Sequence, residues 1–406
     1  MTASTARKDG HWDQIGFLLC WLLVFLIPWG DMLLLPVRVQ FSRAFTLIAA
    51  AAWIPLLWKR RILRPHEPAH FWMLLFVLWV GLTVIQTAEP ERGLRRVLSF
   101  GQLLLDAWII HQSVRTAERY HKLLTAWVLG CCVCLGGVLY NFLLDVRQGD
   151  SRVSAPGFDP NDLAVTLVLG IPAAWQLSMR ERSRGWLFLL YIPLAVAGAF
   201  LTASRGAAVT LAVVLLLPLS TLWRNTAKAF VGIAALGGLI VYGVSSFSED
   251  VAFRRLSTIG DQVSARDLNG RIDIWRKGYA AFLQHPIMGV GAGGFENAIG
   301  ATRGTGMAAH NTVLGVAVEH GIVGLLFFLG VVVSLARRAG KGDSYERRTW
   351  IILLTAWAIA AMSLSWENRE MTWLLWGLCA AKPQPVRFRM PQIVIWRSDA
   401  TTQATA

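Results

Sequence analysis

The chain has 406 residues, of which 55% are hydrophobic and 16% are charged, and its formal net charge at pH 7 is +14. This composition excludes an ordinary soluble protein, because apolar runs of roughly 17–25 residues, long enough to cross a bilayer as helices, recur along the sequence. It also argues against nucleic-acid binding, since the basic residues lie at the ends of the apolar runs, where the rule that cytoplasmic loops are positive explains most of them.

The apolar runs predict an all-α, polytopic membrane protein with about twelve spans, forming a single integral membrane domain over residues 1–406. Arg7 and Lys8 precede the first run, which lacks a small-residue cleavage site, so we expect a retained anchor. The predicted spans are residues 15–35, 44–58, 70–87, 97–114, 123–144, 162–179, 185–203, 206–223, 229–246, 310–336, 349–366 and 370–381.

The distribution of lysine and arginine orients these spans. Most of the basic residues fall on one side when both termini are placed in the cytoplasm. Residues 247–309, between the ninth and tenth spans, then form one large external loop with short amphipathic helices; in a bacterium with an outer membrane this side is the periplasm. Cations on the external side break the rule, and a positively charged external surface suits an anionic lipid head group or glycan.

Two external arginines are the first candidate site residues. Arg205 lies in a turn between two apolar spans that is too short to carry it far into water. Arg271 begins a short amphipathic helix and shares a face with Trp275, four residues later. Both arginines could clamp a phosphate, because guanidinium binds phosphate oxygens through a planar fork. The alternatives are a snorkelling arginine for Arg205 and an interfacial anchor for Arg271.

His310 and Asn311 begin the tenth span at the external surface. A helix N-terminus offers free N–H groups and a partial positive charge, which favour an anion. The histidine could accept a proton from an attacking hydroxyl group at neutral pH. The alternative is a histidine whose hydrogen bonds are satisfied at the interface.

Two further polar turns face the same side. Asn161 lies in Asp159-Pro160-Asn161-Asp162, which suits a turn and helix cap, with contact to a glycan or acceptor as the alternative. Arg369 lies in a tight turn between the last two spans, where a structural ion pair competes with substrate binding. Glu319, inside the tenth span, suits a buried polar hinge better than catalysis.

Two motifs are set aside on physical grounds. The Gly-rich run at residues 289–294 follows a helix rather than a strand and has no Gly-Lys-Ser/Thr, so it is not a nucleotide-binding loop. Its glycines instead suit tight turns and close packing. The run His66-Glu67-Pro68-Ala69-His70 fits the pattern of zinc proteases, but its prolines oppose the continuous helix that such a site needs. We therefore expect no metal site.

Together these residues resemble the O-antigen ligase and O-antigen polymerase superfamily of bacterial membrane glycosyltransferases. The resemblance covers the external loop and the tenth span; the first half is similar only in hydropathy. The matching pieces are Ser204-Arg205-Gly206, Arg271-x-x-x-Trp275, Pro286-x-x-Gly289-x-Gly291-x-Gly293-x-Phe295, His310-Asn311 and Glu319-x-Gly321-x-x-Gly324.

The resemblance implies a multi-spanning, GT-C-like fold in the bacterial inner membrane, with a periplasmic active site and an undecaprenyl-diphosphate-linked glycan as donor. Arg205 and Arg271 would bind the donor pyrophosphate, and His310 would activate the acceptor hydroxyl. Trp275, Asn311, Asn161 and Arg369 complete the predicted substrate-binding set. The resemblance implies no cofactor and no metal. The partners are the donor, membrane lipid, and either lipid A–core or a growing polysaccharide as acceptor.

Several functions stay open at this stage. The shared motifs fit a ligase that moves O-antigen onto lipid A–core, and equally a polymerase that extends an O-antigen or exopolysaccharide. A third activity of the superfamily, transfer to protein hydroxyls, is disfavoured because no dedicated acceptor domain is visible. A transporter of lipid-linked sugars is the alternative of another class. Transporters commonly have two related halves with polar groups near mid-membrane, whereas here the unexplained cations lie on one side.

Overall fold

The computed structural model describes residues 3–32, 41–57, 63–146, 152–180, 185–222, 238, 271–301 and 307–383, and over these residues the chain is helical apart from its connections. The helices are α1 Ala3–Leu26, α2 Phe41–Leu57, α3 Pro68–Thr83, α4 Pro90–Ser113, α5 Ala117–Leu143, α6 Pro160–Arg180, α7 Gly185–Leu201, α8 Arg205–Leu222, α9 Arg271–Gln284, α10 Phe295–Ala298, α11 Thr312–Ala339, α12 Ser344–Ala361 and α13 Glu370–Ala381. A 3-10 helix, Ile27–Met32, follows α1.

The all-α prediction is confirmed for the described residues. Every predicted span except the ninth coincides with a helix; the ninth, residues 229–246, lies outside the described residues apart from residue 238. Five described helices are long and apolar enough to cross a membrane, and three shorter apolar helical segments accompany them. The chain is therefore a helical membrane protein, while about twelve spans, a GT-C-like arrangement and the placement of the large loop stay predictions.

One hydrophobic core joins α1–α8 and α11–α13. Tryptophan side chains fill much of it, and Trp127, Trp373 and Trp376 are fully buried. The outside of the bundle is also apolar. On α3, Phe71, Leu74, Leu78 and Leu82 follow one another at helical spacing and are each about half exposed. An exposed apolar stripe of this kind suits contact with lipid.

Two sets of long-range contacts identify the two ends of the helical bundle. At one end, Arg369 before α13 contacts Asp31 after α1 and Asp162 in the first turn of α6. At the other end, the Arg64 guanidinium donates to the carbonyl of His111 near the end of α4 and to that of Ala381 at the end of α13. We call the first the site end, because the predicted site residues described below lie there.

The longest helix, α11, is broken at Gly321, which has φ 65° and ψ −169°. The Gly-rich loop, residues 285–294, inserts at this break. The backbone of this loop forms the hydrogen bonds that α11 loses at the break: Ile322 N donates to Pro286 O at 2.8 Å, and Val318 O accepts from Val290 N at 2.9 Å. The polar groups freed by the break are thus satisfied inside the protein, as a buried backbone requires. The prediction of a polar hinge here is confirmed.

Glu319 fastens the same loop with its side chain. Its carboxylate accepts from Gly293 N at 2.9 Å and from Phe295 N at 3.4 Å, and it pairs with Arg96 of α4 at 3.5 Å. Gly289 and Gly293 have φ values of 75° and 73°, which side-chain-bearing residues rarely adopt. The Gly-rich run therefore locks α9 to α11, in agreement with the packing role predicted for it.

Replacing Gly321 with alanine is expected to destabilise the protein. A Cβ there would meet the Ile287 carbonyl and the Met288 nitrogen, and alanine at φ 65° and ψ −169°, a region that essentially only glycine adopts, costs about 1–3 kcal/mol before any clash. Thermal unfolding of the detergent-purified variant measures the effect as a lower Tm. Gly136→Ala on α5 is the matched control, because a Cβ there meets nothing within 4 Å. An equal Tm for the two variants would contradict this account of the break.

Candidate functional site

Helix α9 brings two predicted site residues against the site end of the bundle. Arg271 Nη1 donates to the carbonyl of Ser363, which follows α12, at 3.0 Å. Trp275 Nε1 donates to the carbonyl of Ala309 at 2.9 Å. The shared face predicted from their spacing is confirmed, since both side chains reach the residues around His310. Arg276 points away and is exposed.

His310 occupies an unusual backbone position just before α11. Its φ is 46°, in the left-handed region that non-glycine residues seldom adopt, and its N–H donates to Ser365 Oγ at 3.0 Å. The residue is only partly exposed. Burial lowers the pKa of its imidazole, the positive charge of Arg271 lowers it further, and Asp159 opposes both. At neutral pH the imidazole is therefore neutral and able to accept a proton.

Arg271 interacts electrostatically with His310, and its guanidinium also interacts with two others, those of Arg205 at the first position of α8 and of Arg152. Burial lowers the pKa of Arg152, and the neighbouring charges of Arg271 and Arg205 add to this, against Asp159. Burial likewise lowers the pKa of Arg271. The negative charge of Asp159 opposes this shift, and the positive charge of Arg205 increases it. We call Arg152, Arg205 and Arg271 the arginine cluster. Like charges held together this closely favour an anion between them.

Arg152 was not among the predicted site residues. Its Nε donates to the carbonyl of Thr202 at 2.8 Å, and its Nη2 donates to Asn161 Oδ1 at 2.8 Å. It lies in the connection between α5 and α6, residues 144–159, facing the turn that carries Arg205. The signal that selected Arg205, a turn too short to carry a cation far into water, is absent from this longer connection, and nothing in the sequence connects the two turns.

The two predicted asparagines, Asn311 and Asn161, form hydrogen bonds within the protein. Asn311 Oδ1 caps α11 by accepting from Leu314 N at 3.0 Å. Asp159 Oδ1 caps α6 by accepting from Asn161 N at 2.8 Å, which agrees with the helix cap considered for this turn. Asn161 in turn orients Arg152. Substrate contact by Asn161 and Asn311 stays a prediction.

Arg369 lies apart from the arginine cluster in its contacts. Its guanidinium pairs with Asp31 at 3.2 Å and also with Asp162, whose other oxygen accepts from Trp366 Nε1 at 2.8 Å. The alternative of a structural ion pair therefore matches the geometry, with Asp31 and Asp162 as partners. Substrate binding by Arg369 stays a prediction.

A cavity of about 420 Å³ opens at the site end, and His310 is one of the residues that line it. Charged side chains dominate its polar wall, and no member of the arginine cluster lines it in the described part of the chain. His310 and Asp159 line the cavity and also interact electrostatically with Arg271. The cavity is lined by Asp31, Arg96, Asp159, Asp162, Glu367 and Glu370, among others.

The run His66–His70, which fits the sequence pattern of zinc proteases, does not form a continuous helix. Helix α3 begins at Pro68, so His66 and Glu67 precede it. His66 instead accepts a hydrogen bond from Trp108 Nε1 at 3.3 Å. Among the described residues there is no group of three or more His, Cys, Asp or Glu side chains that could hold a metal ion.

Comparison with known proteins finds a family match over the same region. A family described as O-Antigen ligase matches residues 186–329, from α7 into α11. Over 399 residues the chain is 26% identical to an O-antigen ligase of Pseudomonas aeruginosa, covering 93% of this chain and 85% of that protein. Over 330 residues it is 23% identical to the exopolysaccharide production protein ExoQ of Rhizobium meliloti, covering 73% of this chain and 71% of that protein.

The matched region contains Arg205, Arg271, the Gly-rich loop and His310. These are the pieces that carried the resemblance in the sequence; in the structure Arg271 interacts with both Arg205 and His310, and the Gly-rich loop is bonded to α11. The resemblance is therefore confirmed: residues 186–329 match the family described as O-Antigen ligase.

Proposed function

We propose that this protein is a glycosyltransferase that moves a glycan from undecaprenyl diphosphate to an acceptor hydroxyl, and that its reaction is ligation of O-antigen to lipid A–core. The observation that carries the proposal is a half-buried histidine that interacts electrostatically with Arg271, whose guanidinium in turn interacts with those of Arg205 and Arg152; His310, Arg271 and Arg205 lie within the matched region. The pairing supplies what such a transfer needs: a proton acceptor for the nucleophile and fixed positive charge for the leaving group.

The arginine cluster binds the donor pyrophosphate in this proposal. Guanidinium groups bind phosphate oxygens through paired N–H donors. Negative charge grows on the pyrophosphate as the glycosidic bond breaks, and charges fixed before the reaction stabilise that change without reorganising. Arg271 is fixed by the Ser363 carbonyl and Arg152 by Thr202 and Asn161, so these two groups are held in place before the donor arrives.

His310 accepts the proton of the acceptor hydroxyl in this proposal. The acceptor oxygen attacks the anomeric carbon and forms the new glycosidic bond, while the bond from that carbon to the pyrophosphate oxygen breaks. Undecaprenyl diphosphate leaves with the electron pair, and the hydroxyl proton passes to His310. We propose that no metal takes part, because the arginine cluster supplies the positive charge that a metal would otherwise provide.

A polysaccharide polymerase is the second candidate, favoured by the similarity to a protein named for exopolysaccharide production over 73% of the chain. The same donor site would serve it, with a lipid-linked glycan as acceptor. The O-antigen ligase match spans more of this chain, 93%, and this greater coverage is the reason for preferring ligation.

The proposal also places the protein in the membrane. The site end, with the arginine cluster, faces the periplasm, both termini are cytoplasmic, and residues 247–309 form the large periplasmic loop of one integral membrane domain in the inner membrane. This orientation puts the donor lipid at the depth where Arg205 and Arg271 lie, and it agrees with the excess of Lys and Arg near the opposite end of the bundle.

In vitro transfer tests the proposal. Purified protein is incubated with undecaprenyl-diphosphate-linked glycan and lipid A–core in the presence of a chelator. Glycosylated lipid A–core is the expected product. Glycan that lengthens on its own lipid carrier would instead show a polymerase, and loss of activity restored only by added metal would overturn the metal-free step. Lipid binding without transfer, together with transport into vesicles that survives His310→Ala, would show a transporter.

A further inference from the structure

The cavity beside His310 has a different character from the arginine cluster. No arginine of the cluster lines the cavity in the described part of the chain, and the cavity wall carries five carboxylates against two arginines, as follows: Asp31, Asp159, Asp162, Glu367 and Glu370, with Arg96 and Arg369. A pyrophosphate would be repelled from such a wall. His310 borders both regions, so the reacting atoms would meet at their junction.

Most of the charged groups in this wall already have protein partners. Asp31 and Asp162 pair with Arg369, Arg96 pairs with Glu319, and Asp159 accepts the backbone N–H groups at the start of α6. Such groups shape the cavity and set its charge, but their hydrogen bonds are directed into the protein.

Glu367 differs from them. Only 6% of its surface is exposed, and its Oε2 has no hydrogen-bond partner among the described residues. The backbone holds the residue in place, because Trp373 Nε1 donates to the Glu367 carbonyl at 2.9 Å. A buried carboxylate oxygen without a partner is costly and calls for a ligand donor. Because Glu367 lines the cavity, that donor would come from whatever occupies it.

We propose that this cavity binds the acceptor's terminal sugar, an uncharged residue rich in hydroxyl groups, and that Glu367 accepts a hydrogen bond from one of those hydroxyls. The proposal rests on the glycosyltransferase function above and names its acceptor site. An ionised carboxylate only accepts hydrogen bonds, so hydroxyl donors suit it. A phosphorylated or carboxylated sugar would meet net negative charge, so the acidic wall selects a neutral sugar.

The charges around Glu367 support a test by pH. Burial raises the pKa of Glu367 to about 7; Arg96 of α4 lowers it, Glu319 of α11 raises it, and Arg369 lowers it. The ionised fraction therefore grows as pH rises through 7. Because an ionised acceptor makes the stronger hydrogen bond, the wild-type KM for the acceptor should fall between pH 6 and pH 8. Glu367→Gln should show no such fall.

The first experiment measures steady-state transfer with lipid A–core whose terminal sugar carries no phosphate. Glu367→Gln should raise the acceptor KM about 10-fold, the loss expected for one charged hydrogen bond. The Kd for undecaprenyl-diphosphate-linked glycan should stay within about twofold of wild type. Glu118→Gln, an exposed glutamate paired with Lys122 on α5, is the control and should leave both values unchanged. An unchanged acceptor KM in Glu367→Gln would overturn the proposal.

A second measurement is independent of catalysis. Saturation-transfer NMR with lipid-free core oligosaccharide, from which phosphate has been removed, should detect binding to wild type and much weaker binding to Glu367→Gln. Equal binding to both proteins, or none to wild type, would overturn the acceptor site even if transfer occurs. Conversely, oligosaccharide binding without any transfer would overturn the proposed function and leave the sugar site in place. A Tm close to wild type shows that Glu367→Gln remains folded.

Discussion

Arg271→Ala is expected to lower the rate of glycan transfer by roughly 10²–10³-fold, the loss seen when one fixed group that stabilises transition-state charge is removed. The guanidinium is fixed against the Ser363 carbonyl and lies in electrostatic reach of Arg152, Arg205 and His310. Its charge acts mainly on the leaving pyrophosphate, so kcat should fall more than donor affinity. Single-turnover transfer and a donor-binding assay separate the two effects.

The controls for this prediction lie on the same helix. Arg276 is exposed and follows Trp275 directly, so it lies on a different face of α9. The Arg276→Ala variant should therefore transfer the glycan at nearly the wild-type rate. Arg271→Lys keeps the charge but loses the planar fork, and should recover only part of the activity. Arg271→Ala should also raise the pKa of His310, because the positive charge of Arg271 lowers it. Similar losses in Arg271→Ala and Arg276→Ala would refute a specific role for the cluster.

The sequence predicted the helices better than their ends. Each predicted span within the described residues coincides with a helix, because the length of an apolar run that can span a bilayer is also a helical length. The helix at the fourth predicted span extends further than the apolar run that begins at residue 97, since α4 begins at Pro90 and continues through Arg92 and Arg96. Charged residues mark the end of an apolar run but not the end of a helix, and proline is favoured at a helix start. Arg96 is thereby carried inward to Glu319.

The sequence predicted those site residues whose immediate sequence surroundings were informative. Arg205, Arg271 and His310 stood out individually, because cations and a histidine near apolar spans are costly without a role. Arg152 and Glu367 did not, for a physical reason: their significance depends on neighbours that are distant in sequence. Arg152 joins the cluster through the turn at Thr202, and Glu367 is defined by an oxygen left without a partner in a cavity between several helices.

His310 links two regions of different charge, because it interacts with Arg271 of the arginine cluster and also lines the cavity whose charged wall is mainly acidic. In the proposed reaction the pyrophosphate would leave at the cluster and a neutral sugar would enter the cavity. The positive charge of Arg271 lowers the pKa of His310, and the negative charge of Asp159 opposes this. Burial adds to the effect of Arg271, so the neutral imidazole prevails, and that is the form a base must have before the reaction.

His310→Asn is expected to lower transfer by roughly 10²–10⁴-fold, the range for loss of a positioned general base. Asparagine is chosen because it tolerates the left-handed region better than alanine, so the φ of 46° at this position can persist. The N–H that donates to Ser365 Oγ also persists, whereas the proton acceptor is lost. Donor binding should therefore stay near the wild-type value while kcat falls.

The pH dependence gives this prediction its sharpest test. The pKa of His310 in the folded protein lies below its ordinary value of 6.5, so the neutral form grows as pH rises through that lowered pKa and predominates at neutral pH. With the acceptor at saturating concentration, so that the pH dependence of its KM does not contribute, the wild-type kcat should rise along this acid limb and then level off, and the limb should be absent in His310→Asn. His285→Asn, at an exposed histidine in the Gly-rich loop, should keep both the rate and the limb. An acid limb retained in His310→Asn would assign the proton to another group, and Glu367, which borders the same cavity, would be the first to examine.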